Sequence, residues 1–137
     1  MTPHSKLTIF TDGGARWNPG PAALGVVIYD EKGKIIKKIG RYLGEKTNNE
    51  AEYEAVIEAL KLAADLGAKL VVVNLDSELV GRQLNSIYKI KNSRMQELAV
   101  KVRNLEAAFK KVVYKTIPRE KNVLADSLVN EAIDKNI

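Results

Sequence analysis

One stretch constrains this chain more than any other: Leu70-Val-Val-Val-Asn-Leu75, an apolar run broken by a single asparagine. A strand with one wet face alternates apolar and polar residues, so a run without alternation predicts a strand covered on both faces. Such a strand needs layers above and below it, and the surrounding sequence provides them. Upstream, residues 7–11, 23–29 and 34–43 read as three strands, with Asn18-Pro-Gly-Pro21 in the first loop and Asp30-Glu-Lys-Gly33 as the second turn. Short connections between consecutive strands predict an antiparallel meander. A helical segment follows, capped by Thr47-Asn48-Asn49 and closed by Gly67. After the apolar strand come a short helix over 77–85, a longer one over 93–109, a strand over 112–117 and a last helix over 122–134. The predicted fold class is α/β, a mixed sheet with helices on both faces.

Composition narrows the chemistry. The 137 residues suit one domain, 1–137, with residues 1–5 as a leading tail. With 45% hydrophobic residues, 28% charged and only four prolines, the chain is neither disordered nor fibrous. No apolar run approaches the ~18 residues of a membrane span. Nor does the N-terminus hold an apolar stretch of signal length, so the expected location is the cytoplasm. There is no cysteine, and the one histidine, His4, lies in the leading tail. Disulfides, thiolate zinc, a cysteine nucleophile and a Ser-His-Asp triad are thereby set aside. Any chemistry falls to oxygen ligands and carboxylates. A net charge of +5 suits a phosphate polymer as partner, or simply a solvated basic surface. No large apolar surface helix is apparent, so a monomer is expected.

The first long helix holds an anomaly. At about 100° per residue, Glu52 shares its direction with Val56, Ala59, Ala63 and Leu66, the stripe that must pack on the sheet. The acids Glu50, Glu54, Glu58 and Asp65 fall on the opposite side with Lys61. A buried, unpaired carboxylate costs several kcal/mol. Glu52 therefore either reaches past the sheet edge into water or meets a cation. Three further acids sit where elements end or turn inward. Asp12 ends the first strand before two glycines, as a ligand group or an Asx-turn. Asp76 ends the apolar strand, as a ligand group or an N-cap. Asp126 shares a helix face with Asn122, Val129, Asn130 and Ile133, as a ligand group or a solvated helix acid. Four carboxylates brought together would repel one another unless divalent cations sat between them, and hard oxygen ligands select Mg²⁺ or Mn²⁺.

Four motifs then stand in order: Thr11-Asp12-Gly13-Gly14 with Asn18-Pro19-Gly20-Pro21, Thr47-Asn48-Asn49-Glu50-Ala51-Glu52, Leu75-Asp76-Ser77, and Asn122-Val-Leu-Ala-Asp126. Through them the chain resembles ribonuclease H of type 1 over roughly residues 6–134. The resemblance implies a five-stranded mixed sheet with its first three strands antiparallel. It implies hydrolysis of the RNA strand of RNA–DNA hybrids by two Mg²⁺ ions, leaving 5′-phosphate and 3′-hydroxyl ends. One ion would activate water and the other would stabilise the leaving oxygen. The ligands it implies are Asp12, Glu52, Asp76 and Asp126. It further implies RNA-strand contacts from the backbone of Gly13, Gly14 and Ala15 and from Asn18, Asn48 and Asn49, with Thr47 beside a DNA-strand phosphate. Helix capping is an alternative role for the two asparagines at 48 and 49.

Departures from the family pattern matter as much. Many relatives carry a histidine between the last strand and last helix, where this chain has Pro118-Arg119-Glu120-Lys121. Arg119 is the candidate replacement. An arginine does not deprotonate, so it can bind phosphate or assist product departure but cannot serve as a base. The basic protrusion of several relatives is missing, and Ile87-Tyr-Lys-Ile-Lys-Asn92 joins the central helices instead. Tyr88, Lys89 and Lys91 are expected as a partial substitute, with weaker and more salt-sensitive hybrid binding. Glu78, where relatives often have glutamine, adds a negative charge the pattern does not explain. Two other readings stay open: a non-catalytic hybrid-binding module, and another nuclease on the same fold.

Overall fold

The computed structural model describes residues 4–86 and 89–137. Three strands come first: β1 (Lys6–Ala15), β2 (Gly20–Tyr29) and β3 (Ile35–Lys46). They are followed by α1 (Asn48–Asp65), β4 (Leu70–Leu75), α2 (Glu78–Leu84), α3 (Ser93–Glu106), β5 (Lys111–Thr116), a 3-10 turn at Arg119–Lys121 and α4 (Val123–Asp134). The five strands form one mixed sheet in the order β3-β2-β1-β4-β5. The meander β1–β2–β3 is antiparallel, as its short connections require, while β4 and β5 run parallel to β1.

The apolar strand β4 lies between β1 and β5, and Val71 through Leu75 are buried, as its pattern predicts. Its one polar residue is satisfied: Asn74 Nδ2 donates to the Ile9 carbonyl at 3.3 Å. Helices α1 and α3 cover one face, where Leu7, Ile9, Leu24, Val26, Tyr53, Val56, Leu60, Val73 and Leu98 form the main core. Helix α4 covers part of the other, closing a smaller cluster of Ala23, Val129, Ala132 and Ile133 over the meander. The alternation along β2 divides these two sets, with Leu24 and Val26 facing one layer and Ala23 the other.

One sequence expectation is corrected. The first strand does not stop at Thr11: Asp12, Gly13, Gly14 and Ala15 continue the ladder opposite Gly25, Leu24, Ala23 and Ala22. Asp12 is thus a mid-strand residue rather than the head of an Asx-turn. The paired glycines serve close helix approach instead, because a Cβ on Gly13 would lie 2.2 Å from the Ala51 backbone in α1. Part of the expected leading tail, 1–5, meets the rest of the fold. Residues 1–3 lie outside the described residues, but Ser5 O accepts from the N–H groups of Lys69 and Leu70, and His4 meets Glu31 at 3.2 Å.

Candidate active site

Each acid reaches the site through a local reason in the sequence. Parallel pairing of β1 with β4 sets Thr11 beside Leu75, so the next residue of each chain, Asp12 and Asp76, emerges at the same end of the sheet. Glu52 arrives from the first turn of α1. Thr47 caps that helix in a capping box: its side chain accepts from Glu50 N at 3.1 Å, and Glu50 Oε1 accepts from Thr47 N at 3.0 Å. With the helix start fixed and Gly13 admitting it against β1, Glu52 Oε1 accepts the Gly13 N–H at 3.2 Å. Asp126 is delivered by α4, which presses into the sheet at Gly25, the residue paired with Asp12. A Cβ there would lie 2.3 Å from the Ala125 carbonyl oxygen.

The result is a tight acidic cluster. Carboxylate oxygens of Asp12, Glu52 and Asp76 lie within 4.8 Å of one another. Asp12 and Glu52 are each 6% exposed, and Asp76 and Asp126 are half-buried. Glu52 therefore does not reach past the sheet edge into water. Burial pushes the Asp12 carboxyl up to about 7, with the charges of Asp76 and Asp126 adding to the rise and a hydrogen bond from Glu52 opposing it. Glu52 is also raised well above its ordinary range, first by burial and then by Asp12. Two carboxyls so placed share protons and titrate as a pair. Glu52 Oε2 is buried without a hydrogen-bond partner among the described residues. An orphaned, buried carboxylate oxygen amid three other acids is the donor set a hard divalent cation requires, so the residues present fit metal binding.

Asp76 does not cap α2, since Ser77 does so by accepting from Val80 N at 3.2 Å. Its carboxylate is instead held by Asn122, whose Nδ2 donates to Asp76 Oδ2 and to the Thr11 carbonyl, both at 2.8 Å. Asn122 is 1% exposed and joins β1, β4 and the start of α4 in one residue. By sequence alone it stands in a motif without a role of its own. What could have found it is its place one turn before Asp126 on the same face.

Beside Asp12 and Asp126 opens a cleft of about 320 Å³, lined also by Gly13, Gly14, Ala15, Asn48 and Arg119 among others. Arg119, exposed on the 3-10 turn, is thus brought to the carboxylates. The N–H groups of Gly13 and Ala15 are already engaged, by Glu52 and by Asn48 Oδ1 at 2.8 Å. Asn18 Oδ1 accepts from the backbone N–H of Asn48 at 2.9 Å, so Asn18 and Asn48 brace the cleft wall. Asn49 is half-buried in the first turn of α1. Lys89 and Lys91 are exposed in the α2–α3 connection and do not line this cleft, while Tyr88 lies outside the described residues. Glu78, unexplained by sequence, accepts from Arg82 Nε at 2.9 Å one turn along α2, so its charge is countered locally.

The five-stranded mixed sheet is matched among known proteins. The model of the family described as reverse transcriptase-like matches residues 10–132. Ribonuclease HI of Halobacterium salinarum is 39% identical over 129 residues, covering 94% of this chain and 65% of that protein. A bifunctional protein of Mycobacterium tuberculosis is 37% identical over 94% of this chain but only 36% of its own length. This chain therefore spans between one third and two thirds of these curated relatives. The solved RNase H1 of Halobacterium salinarum superposes with a TM-score of 0.93 at 37% identity, over 96% of this chain and 99% of that one. LC11-RNase H1, solved in complex with an RNA/DNA hybrid, gives 0.90 at 48% identity over 94% and 97%. The chain belongs to the ribonuclease H type 1 family.

Proposed function

We propose that this chain is an endoribonuclease that hydrolyses the RNA strand of RNA–DNA hybrids, leaving 5′-phosphate and 3′-hydroxyl ends. The observation that carries this reading is the close trio Asp12, Glu52 and Asp76, with Asp126 beside it and one Glu52 oxygen left buried without a partner. The four acids would hold two Mg²⁺ ions, with Mn²⁺ as a substitute. When bound, such ions supply the charge neutralisation and Lewis acidity that phosphodiester hydrolysis requires. Asn122 keeps Asp76 beside the other acids, and the Gly13 N–H holds one oxygen of Glu52 while the other stays free. Arg119 binds the phosphate or eases product departure from the rim. Gly13, Gly14, Ala15, Asn18, Asn48 and Asn49 shape the wall met by the RNA strand, with Thr47, Tyr88, Lys89 and Lys91 toward the DNA strand. Residues 1–137 act as one catalytic domain, as a monomer in the cytoplasm. No helix among the described residues is long and apolar enough to cross a membrane.

Labelled RNA–DNA hybrid, double-stranded RNA and double-stranded DNA, each incubated with and without Mg²⁺, test the proposal. Cleavage of the RNA strand of the hybrid alone, only with metal, is expected. Cleavage of duplex DNA points to another nuclease on this fold, and hybrid binding without cleavage points to a non-catalytic module. Either outcome removes the proposal.

A further inference from the structure

The loop between β1 and β2 carries the chain's single tryptophan, Trp17, and leaves it 69% exposed. It is the largest and most exposed of the exposed apolar side chains among the described residues. An indole is normally worth burying, since its rings dominate core and interface energetics. The loop around it is firmly held. Arg16 Nη2 donates to Asp134 Oδ1 at 2.7 Å and to the Asn130 carbonyl at 3.4 Å, tying one side to α4. Asn18 ties the other side to the first residue of α1. The backbone and Cβ of Trp17 press on Gly20, where an added Cβ would sit 2.8 Å from Trp17 N. Its base is thus packed down while its ring projects outward. Arg16 lines the carboxylate cleft, and Trp17 is the next residue. Five residues of extended chain from Asp12 reach at most about 17 Å, roughly the axial length of five base pairs.

We infer that Trp17 is a substrate-contacting residue, its indole lying against the sugar and base surface of a bound hybrid beside the cleft. This rests on the hybrid-hydrolase reading above and extends it. A fixed aromatic with few rotatable bonds offers contact area at small entropic cost. The indole carries no charge, so its contact counts no additional phosphate. It supplies affinity that salt does not screen, in a chain without a basic protrusion.

The test uses the indole itself as reporter. An Asp126→Asn chain, which holds hybrid uncleaved, is titrated with hybrid while indole emission and the anisotropy of a labelled hybrid are followed together. The two signals are expected to share one midpoint. In otherwise unchanged enzyme, Trp17→Ala is expected to raise KM about tenfold with kcat within about twofold. The slope of log affinity against log salt should stay unchanged, and Trp17→Phe should restore most of the loss. Hybrid bound and cleaved while indole emission stays constant overturns the inference and leaves the hydrolase reading intact. So does a Trp17→Ala chain with lowered melting temperature and kcat but unaltered KM, which marks a structural loop. If the unsubstituted chain neither binds nor cleaves hybrid, the hydrolase reading fails first and this inference with it.

Discussion

Asp12 is held where its charge is least welcome: buried, against Glu52, with Asp76 and Asp126 nearby. Its carboxyl ordinarily titrates near 3.8 but is raised to about 7 in the folded chain. Between those values the native state binds a proton that the unfolded state has lost, so metal-free stability falls as pH rises through that window. Asp12→Asn removes both the charge and the titration. It should abolish metal-supported cleavage yet raise the metal-free melting temperature at pH 8 by roughly 3–6 °C, with a flatter pH profile from 4 to 8. Thermal melts in chelator across that range check it, and a lower melting temperature at pH 8 would mean that Asp12 is a structural residue. Asn122 behaves in the opposite sense. Removing its amide strands the buried Thr11 carbonyl and frees Asp76 to swing, so Asn122→Ala should cost about 1–3 kcal/mol in denaturant melts and most of kcat.

Among the elements, the junction of β1 with the start of α1 decides whether a site exists. Gly13→Ala would drive a methyl into the Ala51 and Glu52 backbone, which cannot yield as a flexible side chain could. The helix must shift, the Gly13–Glu52 hydrogen bond must stretch, and overpacking of this kind costs about 1–3 kcal/mol. A lower denaturation midpoint together with a large loss of hybrid cleavage is expected; native stability with native activity would show that the junction is slack. The same junction marks the limit of what local sequence discloses. Strand β4, the meander and the Glu52 stripe were legible because periodicity reports burial directly. The extension of β1 through Gly13 and Gly14 was not, because paired glycines signal a turn by local rules, and only the arrival of α1 from 39 residues away makes them strand residues. Gly25 is similar, since its reason is the Ala125 carbonyl one hundred residues later in the chain. Asp76 and Ser77 show the reverse case. Either could have capped α2, and Ser77 taking the cap is what leaves Asp76 for the acidic cluster.

Across the whole molecule, charge is sorted by place. The chain carries +5 overall, yet four acids meet at one end of the central strands, so the remainder holds an excess of nine positive charges. On the proposed function, a basic body would steer a phosphate polymer inward, while the acidic centre would repel it until cations were bound. The unfolded chain has no such cluster, so divalent cations held there, as proposed, would bind the native state selectively and stabilise it by mass action. At a hundredfold excess over the dissociation constant this amounts to about 2.7 kcal/mol, or roughly 8 °C for a chain of this size. Protons compete for the same oxygens, most of all at Asp12, so the Mg²⁺-induced rise in melting temperature should be large at pH 8 and small at pH 5. Sodium chloride at matched ionic strength separates site binding from general screening, because it relieves repulsion without occupying the Glu52 oxygen left free. An equal rise with sodium, or one that survives Asp12→Asn undiminished, would show that the acids gather without holding metal, and the two-ion chemistry would have no foundation.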